Sequence, residues 1–479
     1  MVEVLKEYDL IVIGSGSGME LGSDFIHKNP ESKIAVIDKD EPGGICLTRG
    51  CIPSKLLIYP SDVVRLIQKA HVFGIQVEIK KIDSLAVMAR MRSLIDNQVN
   101  IIRNGLSNSS NLDYYQSTAE FVAPYTIKVG DETMTSKMIF LSTGSRPFIP
   151  PITGLEEAGY LTSDTLLRIK QLPKSIAIIG AGYIAAEYGH FFSAMGLKVI
   201  IIGRNQQFIP QEEPEISALA KREMQKRATI LTGHEVRVVE RTHDGKKKLI
   251  AVDKESKKET VMVTEEIFVA AGRMSNNDIL HPEKAGVKTD ERGFLIVNEY
   301  LETTQPGIWV AGDVNGKFMF KNVANYESQV VYSNAILKNK VVADYHAVPH
   351  AVFCEPEIAS VGLKETQAIA KYGNENLLIG FEKYADTARG EAMALEDEFV
   401  KVIVEKETGK IVGCHIIGPQ ASVLIQEVVN LMYVDGQSLE PLVNAMHIHP
   451  ALTEVVARAF RSLIPIEHYH HTLQVHLRL

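Results

Sequence analysis

Cysteine is scarce in this chain, which has only four cysteines among its 479 residues, namely Cys46, Cys51, Cys354 and Cys414. A secreted scaffold held together by disulfides needs a higher density, so this composition favours a redox enzyme of the cytoplasm. Cys354 and Cys414 lie in apolar, strand-like segments, and we expect both of them to be buried in the core.

Long apolar runs, runs of basic residues and an excess of positive charge are also missing. No apolar run is long enough to cross a membrane, and the charged residues 1–9 lead directly into a predicted strand, which argues against a signal peptide. The net charge is −8 and the isoelectric point is near 6.0, which argues against a nucleic-acid partner. We therefore expect a protein that binds neither membranes nor nucleic acid.

A glycine-rich loop follows the first predicted strand, which spans residues 8–13. Its glycines are Gly14, Gly16 and Gly18. They allow a tight turn and a close approach of the backbone to a pyrophosphate, and the next helix offers free N–H groups to it. A second strand ends at Asp38, where a ribose hydroxyl needs a carboxylate. Met19 occupies the third glycine position of this pattern, which predicts looser packing of the helix on the strand.

A second unit of the same kind begins with the predicted strand at residues 175–179. Its loop contains Gly180, Gly182, Tyr183 and Ile184. The next strand ends at Gly203, and Arg204 follows where an NAD site wants a carboxylate. Glycine followed by arginine suits a 2′-phosphate, so these residues modestly favour NADPH over NADH. Two such units in one chain imply two dinucleotides, which is a stronger signal than a single glycine-rich loop.

The segment of residues 43–55 is the most informative, because it places Cys46 and Cys51 five positions apart. In a regular helix five residues rise about 7.5 Å, whereas a disulfide needs its Cα atoms within roughly 7 Å. A bridge therefore requires a distorted turn, which Gly50 permits. A bridge held in such a turn tends to be labile and catalytic. The pair alone leaves open two free thiols or half of a metal site.

These motifs together resemble the flavin-dependent class I pyridine nucleotide–disulfide oxidoreductases over nearly the whole chain. The resemblance is carried by residues 43–55, 142–147, 180–187, 306–313 and 447–454. It implies an α/β fold with two Rossmann-like dinucleotide-binding domains, for FAD and NAD(P), and a C-terminal α+β dimerisation domain. We predict that the domains span 1–149 and 274–342 for FAD, 150–273 for NAD(P), and 343–479 for dimerisation.

The same resemblance implies which residues bind the two cofactors. For FAD they are Gly14, Gly16, Gly18, Asp38, Gly44, Lys55, Ala119, Thr143, Gly144, Asp313 and Ala324. For NAD(H) or NADP(H) they are Gly180, Gly182, Tyr183, Ile184, Arg204 and Gly272. Among these, Tyr183 resembles the residue that covers the nicotinamide pocket in NADPH-linked reductases.

Electron pairs are expected to pass from the nicotinamide through the flavin to a Cys46–Cys51 disulfide. By resemblance, Cys51 lies beside the flavin and Cys46 meets the substrate. Their position at the start of a helix, near Lys55, predicts lowered thiol pKa values. Lys55 is expected to pair with Glu187, which belongs to the second nucleotide-binding unit.

Thiol exchange also needs a group that accepts and donates protons, and His449 is the candidate. Pro450 is a favourable first residue of a helix, which predicts that His449 lies at a helix entrance with Glu454 orienting its ring. In the family this histidine comes from the partner subunit, so the resemblance implies a homodimer. His447 is a weaker candidate for a direct role.

The substrate is expected to be a small dithiol or disulfide. Residues 51–55 and 447–450 favour oxidation of dihydrolipoamide, with the lipoyl group free or on a carrier protein. Residues 180–187 and 415–422 are closer to NADPH-dependent reductases of low-molecular-weight disulfides such as mycothione reductase, and a flavoprotein without disulfide chemistry is a remote alternative. The chain lacks the terminal cysteine pair of mercuric reductases. Histidines in residues 468–471 lack supporting ligands, so we predict a solvated tail and no metal site.

Overall fold

The computed structural model describes residues 5–476, and it describes side chains as far as residue 471. The strands are β1 Leu5–Glu7, β2 Leu10–Ile13, β3 Ile34–Asp38, β4 Leu112–Gln116, β5 Ala119–Ala123, β6 Thr126–Val129, β7 Glu132–Thr135, β8 Ile139–Leu141, β9 Ser145–Pro147, β10 Ser175–Ile179, β11 Lys198–Gly203, β12 Thr229–Thr232, β13 His234–Arg241, β14 Lys247–Asp253, β15 Glu259–Thr264, β16 Glu266–Val269, β17 Arg273–Ser275, β18 Ile308–Val310, β19 His350–Val352, β20 Ile358–Gly362, β21 Leu377–Lys383, β22 Phe399–Glu405, β23 Ile411–Ile417 and β24 Ile464–Pro465.

Helices connect these strands and cover the faces of the sheets. They are α1 Gly18–Lys28, α2 Gly44–Thr48, α3 Cys51–Lys69, α4 Ser84–Ser107, α5 Leu155–Ala158, α6 Ser163–Leu166, α7 Tyr183–Ala194, α8 Pro214–Gln225, α9 Asn277–Leu280, α10 Lys321–Val331, α11 Glu365–Tyr372, α12 Ala388–Ala392, α13 Ala421–Met432, α14 Glu440–Asn444, α15 Thr453–Arg461 and α16 Ile466–His476.

The first nucleotide-binding unit is a parallel five-stranded sheet in the order β18-β8-β2-β3-β4. Its inner strand β2 is buried at every position, as expected of a parallel strand covered on both faces. A Cβ atom on Gly18 would lie 2.3 Å from Ser142 Oγ and 2.9 Å from Val12, so Gly18 brings α1 close to the sheet. The expectation that Met19 loosens this packing is therefore wrong, because the glycine one position earlier supplies the close approach.

The second nucleotide-binding unit is a parallel four-stranded sheet in the order β12-β11-β10-β16. The turn from β10 into α7 requires glycine, because Gly180 has a φ of +126° and an added Cβ would lie 2.0 Å from the Ala270 carbonyl oxygen. Helix α7 is buried at most of its positions, so it packs between this sheet and the rest of the molecule. Its first residue is Tyr183, which the turn points towards the cavity described below.

The C-terminal part is built on an antiparallel six-stranded sheet in the order β19-β20-β23-β22-β21-β24. Cys414 in β23 is fully buried and Cys354 is nearly so, which confirms that both are core residues. The predicted solvated tail is wrong in one respect: α16 packs on this sheet through buried Tyr469, and His470 Nε2 lies 2.6 Å from Glu365 Oε1. The apolar ring makes that segment part of the core, while the histidines around it are exposed.

The predicted fold class is confirmed, with two Rossmann-like parallel sheets followed by a C-terminal α+β unit. The exact domain boundaries stay a prediction. Between residues 5 and 476, no helix combines the length and the apolar character needed to cross a bilayer.

Candidate functional site

A cavity of about 1410 Å³ opens between the loops at the carboxyl ends of the two parallel sheets. Sites for one small molecule usually measure about 300–1,000 Å³, so this cavity has room for more than one ligand. Most of the residues predicted from the sequence line it, namely Gly14, Gly16, Asp38, Gly44, Cys46, Cys51, Lys55, Ala119, Thr143, Gly144, Gly180, Gly182, Tyr183, Ile184, Glu187, Arg204, Gly272, Asp313 and Ala324. Gly18, His449 and Glu454 are not among its lining residues.

Glycines shape the first end of the cavity. Gly14 has a φ of +103°, and an added Cβ would lie 2.2 Å from the Ser142 carbonyl oxygen. A Cβ on Gly44 would lie 2.5 Å from Gly16 Cα, so the two loops meet this closely because Gly44 has no side chain. The result is an exposed backbone cradle of the kind that fits a dinucleotide pyrophosphate.

Asp38 fastens this loop to the end of β3. Its carboxylate accepts hydrogen bonds from Ser15 N at 2.8 Å and from Ser15 Oγ at 2.6 Å. Asp40 N donates to the other oxygen at 3.0 Å. Asp38 therefore holds the loop in shape, and its contact with a ribose hydroxyl stays a prediction.

Asp313 is held by two residues that the sequence patterns did not single out. Ser145 Oγ donates to Asp313, and Arg273 Nε donates to Ser145 Oγ at 2.6 Å. Ser145 lies on β9 and Arg273 on β17, and these two strands pair in register at Ser145–Ser275 and at Pro147–Arg273. Pairing between strands more than 120 residues apart builds this contact, so no local motif reveals it.

The two cysteines lie on either side of a break between α2 and α3. A Cβ on Gly50 would lie 2.9 Å from the Ile45 carbonyl oxygen, so the break needs a glycine, as the spacing predicted. Cys46 and Cys51 are both free thiols in the structure, and each lies close enough to shift the pKa of the other.

The interaction between the two thiols shifts their pKa values in opposite directions. The hydrogen bond from Cys46, together with the positive charge of Lys55, lowers the pKa of Cys51 to about 6. The same hydrogen bond, together with burial, raises the pKa of Cys46 well above its usual range. The expectation of lowered pKa values therefore holds for Cys51 and is wrong for Cys46, because Cys46 keeps the proton that stabilises its partner.

Lys55 and Glu187 form the ion pair that the sequence predicted. Lys55 Nζ lies 2.8 Å from both carboxylate oxygens of Glu187, and Phe353 N donates to Glu187 Oε1 at 3.0 Å. The ammonium also lies 4.6 Å from the centre of the Phe353 ring, a cation–π contact. Lys55 thus stands next to Cys51 with its position fixed by the second nucleotide-binding unit.

At the second end of the cavity, Arg204 follows β11 and is exposed. Within the described residues its guanidinium makes no ion pair, and Arg237 on β13 also lines the cavity nearby. Arg204 suits a phosphate group better than a bare ribose hydroxyl, whereas Arg237 is already paired with Glu235 at 2.6 Å.

Tyr183 has neighbours that the sequence did not suggest. Its hydroxyl lies 3.0 Å from His350 Nε2, which lies 2.8 Å from Glu212 Oε1. Both neighbours come from distant segments, and neither belongs to a motif that could have found them.

His449 and Glu454 lie together near the start of α15. His449 Nδ1 is 3.0 Å from Glu454 Oε1, and Ala451 N donates to Glu454 Oε2 at 3.2 Å. The hydrogen bond from His449 lowers the pKa of Glu454 below its usual range. Pro450 is not the first residue of a helix as predicted: it lies in a turn, α15 begins at Thr453, and that turn lets Glu454 reach back to both partners.

The His449 segment is exposed, and His449 is not among the residues that line the cavity with Cys46 and Cys51. The His449 side chain is 68% exposed, and the adjacent apolar residues Met446 and Ile448 are 101% and 79% exposed. His447 is half-buried, and its Nδ1 lies 3.1 Å from the Ala445 carbonyl oxygen. An exposed apolar segment that carries an oriented imidazole is typical of an interaction surface.

Sequence comparisons agree with this geometry. Residues 8–328 match the profile "Pyridine nucleotide-disulphide oxidoreductase", and residues 348–460 match the dimerisation domain of the same family. A mycothione reductase of Mycobacterium tuberculosis is 33% identical over 96% of this chain and 100% of its own length. A dihydrolipoyl dehydrogenase of Synechocystis is 33% identical over 96% of this chain and 99% of its own length.

Among solved structures, an HOCl-induced flavoprotein disulfide reductase of Escherichia coli in its Cu(II) complex has a similar fold. The TM-score is 0.84 at 24% identity, and the match covers 95% of this chain and 99% of the other. At that identity the likeness concerns the fold alone.

Proposed function

The chain belongs to the pyridine nucleotide–disulphide oxidoreductase family and is an FAD-dependent NAD(P)H disulfide oxidoreductase, and on this premise we propose that Cys46 and Cys51 carry its disulfide exchange. The observation that supports this most directly is the thiol pair, with the pKa of Cys51 lowered to about 6 beside Lys55. FAD, held by the cradle at Gly14 and Gly44, supplies two-electron transfer between the nicotinamide nucleotide and these sulfurs.

For a dithiol substrate, thiol–disulfide exchange at Cys46 and Cys51 takes two steps. With Cys46 and Cys51 oxidised, a substrate thiolate attacks Cys46 Sγ, forms a mixed disulfide and releases Cys51 as a thiolate. The second substrate thiol then attacks the substrate sulfur of the mixed disulfide and frees Cys46. The substrate is oxidised by two electrons, the cysteine pair is reduced by two electrons, and the thiol protons pass to a base.

That base is the partner subunit's His449, as family resemblance implies. The exposure of this chain's own His449 supports the proposal, because the imidazole points away from the molecule and is oriented by Glu454. The match of residues 348–460 to the dimerisation domain supports a homodimer.

For the substrate we propose dihydrolipoamide, oxidised to lipoamide. Helix α3 presents an exposed apolar face that begins beside Cys51, with Ile52 45% exposed and Tyr59 69% exposed. The nearest arginine, Arg49, is already paired with Asp40 and Asp164, so it is not free to bind the carboxylate of a charged disulfide. An apolar approach of this kind suits the hydrocarbon chain of a lipoyl group.

A second candidate is NADPH-dependent reduction of a low-molecular-weight disulfide. The unpaired, exposed Arg204 supports it, since a 2′-phosphate would neutralise this cation. The full-length match to a mycothione reductase supports it as well.

Steady-state kinetics with dihydrolipoamide, lipoamide, glutathione disulfide and mycothione, each with NAD(H) and NADP(H), separate the two candidates. Dihydrolipoamide oxidation should give the highest kcat/KM. A higher kcat/KM for a charged disulfide with NADPH would replace the first candidate by the second.

Cys46→Ser tests the role of the cysteines. It should abolish turnover of every disulfide and leave reduction of the bound FAD by the nicotinamide nucleotide, because Cys46 contacts substrate and not the nucleotide. Disulfide turnover retained in this variant would contradict the assignment.

A further inference from the structure

Tyr183, His350 and Glu212 form a hydrogen-bonded cluster at the wall of the cavity. The Tyr183 hydroxyl lies 3.0 Å from His350 Nε2, and the same nitrogen lies 2.8 Å from Glu212 Oε1. Tyr183 and His350 line the cavity, whereas Glu212 is 1% exposed and lies behind them. A buried carboxylate therefore holds His350, and His350 in turn anchors the phenol.

Two residues of the C-terminal sheet hold the Glu212 side chain in place. His350 on β19 and Ser360 on β20 are direct partners across the antiparallel ladder, so their side chains lie on the same face. His350 Nε2 lies 2.8 Å from Glu212 Oε1, and Ser360 Oγ donates to Glu212 Oε2 at 2.6 Å. Burial opposes ionisation of Glu212, but the hydrogen bond and charge of His350 lower its pKa to about 2, so it stays a carboxylate.

Aromatic contacts complete the enclosure of Tyr183. The Phe320 ring stacks on His350 with centroids 5.3 Å apart and an interplanar angle of 3°. The Tyr183 ring lies 5.4 Å from His350 and 6.4 Å from Phe320. Phe320 immediately precedes α10, so the tyrosine is held where three segments of the chain meet.

We propose that His350 and Glu212 are positioning residues that hold the Tyr183 side chain over the cavity, so that entry of the nicotinamide requires this tyrosine to be released. The proposal rests on the proposed function in one respect, since it assumes that a nicotinamide nucleotide enters past Tyr183. An anchored side chain reduces the fraction of molecules that are ready to bind, and the apparent affinity falls by that fraction. Loosening the anchor should therefore tighten nucleotide binding.

The test measures Kd for NAD⁺ and NADP⁺ from the change in flavin absorbance of the oxidised holoenzyme, without turnover. Tyr183→Phe removes the hydroxyl and leaves Glu212, His350 and Ser360 bonded to each other, so the fold is retained. Loss of the hydrogen bonds that hold the phenol should lower Kd roughly three- to tenfold. His350→Ala should lower it similarly, and His350→Gln, which retains a donor for Glu212, should restore most of the wild-type Kd.

Two further measurements distinguish positioning from general loosening of the fold. The double variant Tyr183→Phe/His350→Ala should bind no more tightly than Tyr183→Phe alone, since both changes act through one hydroxyl. His346→Ala, which removes a histidine that bonds Asp344 and the Met432 carbonyl, should leave Kd unchanged.

An unchanged or weakened affinity in Tyr183→Phe would overturn the proposal, as would additive effects in the double variant. Failure of the proposed function looks different: the wild-type flavin would then not be reduced by NADH or NADPH at all.

Discussion

Cys51 is ionised near neutral pH because two neighbours act on it at once. Cys46 donates a hydrogen bond to it, and Lys55, fixed by Glu187, supplies positive charge. These contacts make Cys51 the better leaving group of the pair and keep Cys46 protonated while the pair is reduced.

Removal of the Cys46 thiol should raise the pKa of Cys51. Alkylation of Cys51 by iodoacetamide in the reduced holoenzyme, followed by peptide mass spectrometry, should have its midpoint at a pH of about 6. In Cys46→Ala the midpoint should move towards the value of an ordinary thiol, because only Lys55 then favours the thiolate. Cys46→Ser keeps a hydroxyl donor and should shift less. Equal midpoints in wild type and Cys46→Ala would show that the hydrogen bond is unimportant.

The orientation of His449 depends on Glu454. Glu454→Ala should reduce kcat for dithiol oxidation about tenfold, and His449→Ala should reduce it about 100-fold or more, since a positioned general base contributes that much. Neither change should affect reduction of the flavin by NAD(P)H in stopped-flow experiments. A slower flavin reduction in either variant would place these residues in the other half of the reaction.

The acidic side of the pH profile provides a related check. The pKa of Glu454 is lowered by His449, so the carboxylate and its hydrogen bond persist below the pH at which an ordinary glutamate protonates. The stabilisation from this pair is lost only as the pH falls through the lowered pKa of Glu454. Between about pH 7 and 5 Glu454 therefore stays ionised, and the activity measured across this range should not report its protonation.

At the scale of elements, each of the two predicted cofactor sites has its own glycine turn. Gly14 and Gly180 occupy equivalent places after β2 and β10, each with a positive φ and a carbonyl oxygen that an added Cβ would overlap. Each turn belongs to a different sheet, so a substitution in one should leave the other intact.

Gly14→Ala should yield protein that loses FAD, and Gly180→Ala should retain FAD but weaken NAD(P)⁺ binding roughly 10- to 100-fold. The flavin-to-protein absorbance ratio and nucleotide titration measure the two effects. Gly245→Ala is a matched control, since Gly245 also has a positive φ, of +81°, but has no atom within 4 Å of an added Cβ. Loss of FAD from Gly180→Ala would contradict the separation.

Patterns confined to one element were predictable, and contacts between distant elements were not. The spacing of Cys46 and Cys51 with Gly50 predicted a distorted turn because the geometry of a helix is local. The Lys55–Glu187 pair was expected only by family resemblance. Glu212 and His350 are ordinary residues, 138 positions apart, that meet only when the C-terminal sheet packs on the second nucleotide-binding unit.

At the scale of the whole molecule, a buried ion cluster joins that unit to the C-terminal sheet. Lys401 on β22 is fully buried and contacts three carboxylates. They are Glu213 at 3.2 Å, Glu215 at 3.1 Å and Glu365 at 2.7 Å. The ammonium compensates carboxylates from both parts, so it stabilises the packing of one against the other only while all of them are paired.

Lys401→Met should lower the free energy of unfolding by about 3–5 kcal/mol, because it removes the buried ammonium that compensates three carboxylates. Denaturant titration of the holoenzyme measures the change. Adding Glu213→Gln, Glu215→Gln and Glu365→Gln to Lys401→Met should recover part of the loss. A fully stable Lys401→Met enzyme would show that water reaches the cluster.

The anchoring of Tyr183 has a consequence for protein engineering. His350 contacts the Tyr183 hydroxyl, and Ser360 holds the Glu212 carboxylate to which His350 is bonded. Both residues lie outside the nucleotide-binding unit in sequence. In a chimera, this unit could be replaced by that of a relative to change the coenzyme preference. The residue at position 183 would then come from the relative, whereas β19 and β20, which hold it, would still come from this chain. Successful exchange should therefore carry β19 and β20 along with the graft.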